Sequence, residues 1–317
     1  MMVLVHTLLM SLSILLQETN MTITTLNQPT PVPYLQRVDP EALRTRFDAL
    51  IEELAHAAFS VEAITQGLNT SLDAVGTWVR SVPAHEGRLL ERGIAILAQF
   101  NPDLIVLTQN IRLAVTKAAV ELVEKNHPGQ YRSLTLDADC SGRKSYTPDL
   151  IVLNNRTRVA HVVDVKRSLN SYESSRIADL KSRMLAASLI VPDLLYKEHR
   201  RLVVEDVRVV ILNAENQRTD IDGGVWPLAH LDHLLEVSGA GEMMKSLQQV
   251  FRARVERNWE QALRSLAGRG EAGAAPSPAF SPELHGDSAD NPDREADRLG
   301  EGVVRFGFAR IPNARTG

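Results

Sequence analysis

Two short apolar runs, each carrying an acid, constrain this chain most. Thr147-Pro148-Asp149-Leu150-Ile151-Val152 and His161-Val162-Val163-Asp164-Val165-Lys166 both read as buried strands. A charge inside such a strand is costly unless it is paired or binds something. Side chains alternate along a strand, so Asp164 and Lys166 share a face while Val165 enters the opposite layer. The turn signal Asn154-Asn155 separates the runs. A hairpin of 148–153 with 159–166 therefore brings both acids to one end of a sheet. Two carboxylates and a backbone carbonyl form a hard-oxygen set suited to Mg²⁺ or Mn²⁺. A lysine beside them can orient water and stabilise charge developing on phosphate oxygens. The alternative is structural: Asp149 and Asp164 capping strand ends, with Lys166 on a solvated rim.

Composition bounds the partners. The 317 residues carry a net charge of −4, so no global basic field advertises a polyanion. Between His127 and Leu212, however, fourteen basic side chains face ten acidic ones, a local excess of four. One cysteine, Cys140, forms no intramolecular disulfide, which fits a reducing cytoplasm. No Cys/His set has zinc spacing, and His230-x-x-His233 reads as ordinary helix surface. Residues 2–16 are apolar but short of a membrane span, without a basic leader or a small-residue cleavage site. They are expected to be upstream sequence read ahead of a start at Met21. No G-x-x-x-x-G-K-[ST] is present, so no nucleotide cofactor is expected.

The pattern along the chain predicts four segments. Residues 1–38 read as a leader and 39–105 as a helical domain. Residues 106–266 read as an α/β domain, and 267–317, rich in Gly, Ala, Pro, Ser and charge, as a disordered tail. Asp39-Pro40-Glu41 is a helix start. A helical unit is expected at 61–80 and further helices at 86–100 and 108–125, the former of these helices stopped by Asn101-Pro102 and the latter near His127-Pro128-Gly129. Strands follow at 133–137, 148–153 and 159–165, then a helix at 172–190, a strand at 207–212, and helices at 228–235 and 243–266.

The motif Pro148-Asp149 followed by Asp164-Val165-Lys166, with helix, three strands, helix and strand in that order, resembles the PD-(D/E)XK nuclease superfamily over residues 106–213. Other Pro-Asp and Asp-x-Lys strings, such as Asp179-Leu180-Lys181, lie in helical or isolated contexts. The resemblance implies a restriction-endonuclease-like mixed sheet flanked by helices, preceded by the small all-helical unit. It implies that Asp149 and Asp164 hold the metal with the carbonyl of Val165, and that Lys166 assists the attacking water. An acid from the helix before the first strand commonly joins them, here Glu121, with Glu124 as substitute.

Residues 64–80 resemble a helix-turn-helix, with Leu68, Val75 and Trp78 as its core and Ser71 capping the second helix. Thr65 and Asn69 stand where alanine and a turn glycine are usual. Thr77 and Arg80 would face DNA, although Asp73 opposes a phosphate; an ordinary helical hairpin is the alternative. Tyr172, Arg176 and Arg183 are candidates to line the groove, and Trp226 and Trp259 read as core or interface. The expected function is a Mg²⁺-dependent cytoplasmic endonuclease, a hydrolase acting on DNA. Its rivals are a non-catalytic DNA-binding regulator using a degenerate nuclease fold as a dimerisation layer, and a scaffold. The sequence allows a homodimer.

Overall fold

Asp39 opens the first long helix by accepting from the backbone N–H groups of Glu41 and Ala42, with Pro40 in the first turn. The computed structural model describes residues 34–108, 111–127, 130, 134–138, 144–199, 201–215, 217–269 and 305–309. A short strand β1 (Gln36–Arg37) precedes helices α1 (Pro40–Phe59), α2 (Val61–Thr70) and α3 (Leu72–Ala98). Strands β2 (Leu104–Leu107) and β3 (Leu113–Val115), helix α4 (Lys117–Lys125), then β4 (Lys144–Tyr146), β5 (Leu150–Asn154) and β6 (Val159–Lys166) follow. Helices α5 (Ser174–Ser188) and α6 (Val191–Glu198) lead to β7 (Asp206–Asn213) and β8 (Val225–Pro227). A 3₁₀ turn (Leu228–His230), α7 (Leu231–Leu235), β9 (Val237–Ser238), α8 (Ala240–Arg269) and β10 (Arg305–Phe308) complete the described chain.

The central sheet runs β10-β7-β6-β5-β2, with β8 also on β7. β2 and β6 are antiparallel to β5, whereas β7 is parallel to β6. A parallel step needs a crossover, and α5 and α6 supply it. Both faces of the sheet are covered, which is why β5 reads Leu-Ile-Val-Leu without alternation. Leu150, Val152, Val163, Val165, Val210 and Leu212 pack towards Leu89, Leu90, Ile94 and Phe251 of α3 and α8. Ile151, Leu153, Ala160, Val162, Val209 and Ile211 pack towards Met184, Leu185 and Leu195 of α5 and α6. The protein is thus α/β, a mixed sheet flanked by helices.

Several expectations change. The long helix expected at 108–125 is confined to α4; Leu104-Ile105-Val106-Leu107, given no element by the sequence pattern, pairs with β5 as an edge strand. β-branched apolar residues beside a buried strand favour pairing over helix. Residues 134–137 form no strand; β4 pairs instead with β3 in a separate two-stranded sheet. The expected division at Ser71 is found, with α2 ending at Thr70 and Ser71 capping α3, but the separate helix expected at 86–100 is not: α3 runs unbroken through Pro83 to Ala98. Pro83 is exposed, so the carbonyl one turn back, at the exposed Val79, can bond water instead. The helix expected at 172–190 stops at Ser188, and Pro192 starts α6. In the tail, residues 305–308 form β10, parallel to β7. In the leader, β1 pairs with β9. Cys140, the apolar 2–16 run, Met21 and most of the tail lie outside the described residues. The expected boundary at 105 falls inside a single compact unit, Tyr34–Asn313. Among the described residues no helix is long and apolar enough to cross a membrane.

Candidate active site

The register of β5 against β6 pairs Leu150 with Val163, and the backbone N–H of Asp149 extends the ladder by donating to the Val163 carbonyl at 3.1 Å. Asp149 therefore stands beside Asp164, on the face shared with Ile151, Ala160 and Val162. Lys166 lies two residues further along β6 on that same face. Asp149, Asp164 and Lys166 are brought together as the sequence pattern expected. Asp164 is 4% exposed. Lys166 Nζ forms an ion pair with its Oδ1. The Tyr146 hydroxyl donates to its Oδ2 at 2.8 Å. Asp149 Oδ2 accepts the Val165 N–H at 2.6 Å. Val165, expected to offer its carbonyl, thus reaches the site through its N–H.

The electrostatics are those of a crowded anionic site. Burial, then the neighbouring Asp164 carboxylate, push Asp149 above the usual carboxylate range, against the opposing pull of the Val165 N–H and Lys166. Burial would lower Lys166, but the Asp164 carboxylate overrides it and the ammonium is held above its ordinary value. Burial and then the Asp164 charge push the Tyr146 phenol far up, so its hydroxyl remains a donor.

A third acid, Glu91 on α3, is coupled electrostatically to the Asp149–Asp164 pair. Glu121 sits on α4, half-exposed, between Lys117 at 3.6 Å and Lys125 at 3.5 Å. Glu91 on α3 is the residue that feels the site. Burial, followed by the Asp149 charge, pushes it up to about 7, with Asp164 adding to the rise and Lys166 and Arg88 opposing it. Once β2 is recognised as a strand, α3 is the helix before the first strand of the sheet, and Glu91 interrupts its apolar stripe between Leu90 and Ile94. Tyr146 was also missed. Its signal was its place three residues before Asp149, on a strand that the turn-rich 139–145 stretch concealed.

The donor chemistry fits a hard divalent cation: two adjacent carboxylates, a third within electrostatic reach, and mutual repulsion that such an ion relieves. Among the described residues no three His, Cys, Asp or Glu side chains are already gathered around one metal position. Asp149 and Asp164 would hold the ion.

The remaining candidates are spread out. Ser71 Oγ caps α3 by accepting from Ala74 N–H at 3.2 Å. Thr77 and Arg80 are exposed and linked to each other at 3.4 Å. Trp78 packs inward, stacked on Trp259 of α8 with ring centroids 4.7 Å apart. The α2–α3 pair packs on α8. Arg80 lies eleven residues along α3 from Glu91, about 16 Å. Arg176 on α5 covers the Tyr172 ring at 5.6 Å, and Tyr172 in turn lies near Lys166. Trp226 is buried, its indole donating to the Ile221 carbonyl at 3.0 Å. His230 and His233 are buried, not solvated, and both are held below the usual imidazole range, chiefly by burial. No family model, curated protein or solved structure matches the chain.

Proposed function

We propose that this protein is a metal-dependent nuclease of the PD-(D/E)XK type that hydrolyses DNA phosphodiester bonds. One observation carries the reading: Asp149, Asp164 and Lys166 adjoin on one face of the β5–β6 pair, with Glu91 close enough to share their field. A divalent cation bound there supplies Lewis-acid stabilisation of phosphate oxygens. Asp149 and Asp164 hold its position through a register fixed by the sheet. Lys166, a quarter exposed, places an ammonium at the mouth of the site, where it can orient water and offset charge on the phosphate. Arg176 and Tyr172, in contact with each other, would receive the DNA backbone or a base. Arg80 and Thr77 on α3 would contact the duplex further along.

A second reading is favoured by one observation of its own. Asp164 already carries an ion pair to Lys166 at Oδ1 and a hydrogen bond from Tyr146 at Oδ2, as a site that no longer recruits metal would also have. That reading is a non-catalytic DNA-binding regulator.

The test is plasmid cleavage by the full chain with and without Mg²⁺ or Mn²⁺, beside Lys166→Ala and Asp164→Ala. Metal-dependent nicking that both variants lose supports the nuclease. Binding without cutting, indifferent to those variants and lost in Arg80→Ala, supports the regulator. Neither binding nor cutting removes both.

A further inference from the structure

Asp164 is clamped by two donors of different character. Tyr146 reaches it from β4, which belongs to the small β3–β4 sheet and not to the sheet that carries Asp164. The ring of Tyr146 is 6% exposed and packs in the buried cluster that includes Leu113, Val115 and Met184. Its hydroxyl therefore points at Oδ2 from a fixed base. Lys166 holds Oδ1 with a flexible side chain that is 25% exposed. The tyrosine donor is neutral and anchored; the lysine donor is charged and able to swing into solvent.

We infer that Tyr146 is a positioning residue that keeps Asp164 Oδ2 and orients the carboxylate, leaving Oδ1 as the oxygen that a divalent cation and Lys166 contest. The inference rests on the nuclease reading proposed above. An ammonium and a cation at one carboxylate oxygen repel each other, whereas a neutral hydroxyl on the other oxygen does not compete. A tyrosine that fixes a ligand carboxylate acts as the outer-shell partners of metal sites do: it sets the ligand's orientation without touching the ion. Cation binding would then release Lys166 Nζ from Asp164, making the ammonium available to substrate only when metal is in place. Tyr146 lies three residues before Asp149, so one short stretch both orients one carboxylate and supplies the other.

The experiment is Mn²⁺ titration of the full chain, followed by the room-temperature electron paramagnetic resonance of free and bound ion, on wild type, Tyr146→Phe, Lys166→Met and Asp164→Asn. Melting temperature and metal-dependent plasmid cleavage are read in parallel. Under the inference Tyr146→Phe weakens Mn²⁺ binding about 10–100-fold. It also changes the spectrum of the bound ion, and cleavage recovers at saturating Mn²⁺. Lys166→Met binds Mn²⁺ several-fold more tightly than wild type yet does not cut. Asp164→Asn loses Mn²⁺ binding and cleavage together. A purely structural role for Tyr146 would lower the melting temperature and leave the Mn²⁺ half-saturation and spectrum unmoved, which overturns the inference while the nuclease reading stands. Weaker Mn²⁺ binding by Lys166→Met overturns the contest at Oδ1, and this arm decides the matter alone if Tyr146→Phe does not fold. A wild-type protein that binds no Mn²⁺ and cuts nothing removes the nuclease reading, and the inference with it.

Discussion

At the residue scale, Glu91 is half-buried and feels the charge of two carboxylates, Asp149 and Asp164. The ordinary pKa of Glu91 is 4.5, and in the folded protein burial and the Asp149 charge lift it to about 7. The folded state therefore keeps a proton that the unfolded chain has released across that interval. The resulting stability is fully present below about pH 4.5 and is lost as pH rises through about 7. Asp149, also raised, acts in the same direction. Glu91→Gln removes the Glu91 contribution. The variant is expected to gain on wild type by about 2 kcal/mol between pH 4.5 and 8, a figure reduced for partial exposure. Urea unfolding at pH 4.5 and pH 8 checks it; an equal difference at both values would sink the argument. Mg²⁺ relieves the same repulsion, so at pH 8 it should raise the melting temperature of wild type more than that of Glu91→Gln. The Asp164–Lys166 ion pair makes the opposite demand. Removing the ammonium by Lys166→Met without metal leaves a buried carboxylate short of its counter-ion, an expected loss of about 3 kcal/mol measurable by the same unfolding experiment.

At the scale of elements, what the sequence made legible follows from which forces are local. The β5–β6 hairpin was readable because the acids, the apolar runs and the turn all lie within about twenty residues, and pairing register then placed Asp149 beside Asp164. The start of α1 was readable from Asp39 and Pro40, and the cap of α3 from Ser71. What was hidden depended on distant partners. Leu104–Leu107 is a strand only because β5 offers it an edge, and leaving it unassigned made α4, not α3, the helix before the first strand. The break expected between residues 80 and 86 does not occur, because the exposure of Pro83 makes it tolerable inside α3. The glycines of α2 and α3 separate local preference from packing. A methyl at Gly67 or Gly87 meets no atom within 4 Å, so alanine there should stabilise by about 1 kcal/mol through helix preference alone. At Gly93 the same methyl would come within 2.7 Å of Leu247 and 2.8 Å of Met244, both buried on α8. Gly93→Ala should therefore cancel its helical gain and lose about 1–2 kcal/mol overall by overpacking the α3–α8 contact that backs the site. Thermal melts of the three variants test this; stabilisation by Gly93→Ala would show that α8 moves freely.

At the scale of the molecule, β7 is itself paired along its outer edge by β10 and β8, and the residues that form β10 were read as tail. β10 runs parallel to the first half of β7, pairing Arg305 with Asp206 through Phe308 with Val209, while β8 covers the second half. Composition concealed β10 because its flanking sequence is polar and glycine-rich, and only the exposed half-edge of β7 gives four residues reason to order. Phe308 then fills the space over Gly224, whose φ of +78° turns the chain before β8 and whose missing side chain admits the ring: a Cβ there would lie 2.6 Å from it. Lys181 of α5 lies 5.6 Å from the same ring and pairs with Asp220 at 2.8 Å. Ala309 is fully buried and donates its N–H to the Val209 carbonyl at 3.1 Å. β10 thus ties the sheet to the crossover helix that flanks the site, and it does so from a position more than thirty residues beyond α8. Deleting residues 301–317 should lower stability by about 2–4 kcal/mol, chiefly through lost apolar burial. It should also leave the β7 half-edge open to a second molecule, so that the truncated protein self-associates as concentration rises. Phe308→Ala should reproduce the loss of stability without opening the edge. Melting temperature together with sedimentation velocity distinguishes the two effects, and a truncated chain that melts with wild type and sediments as a single species would show that β7 does not need its partner.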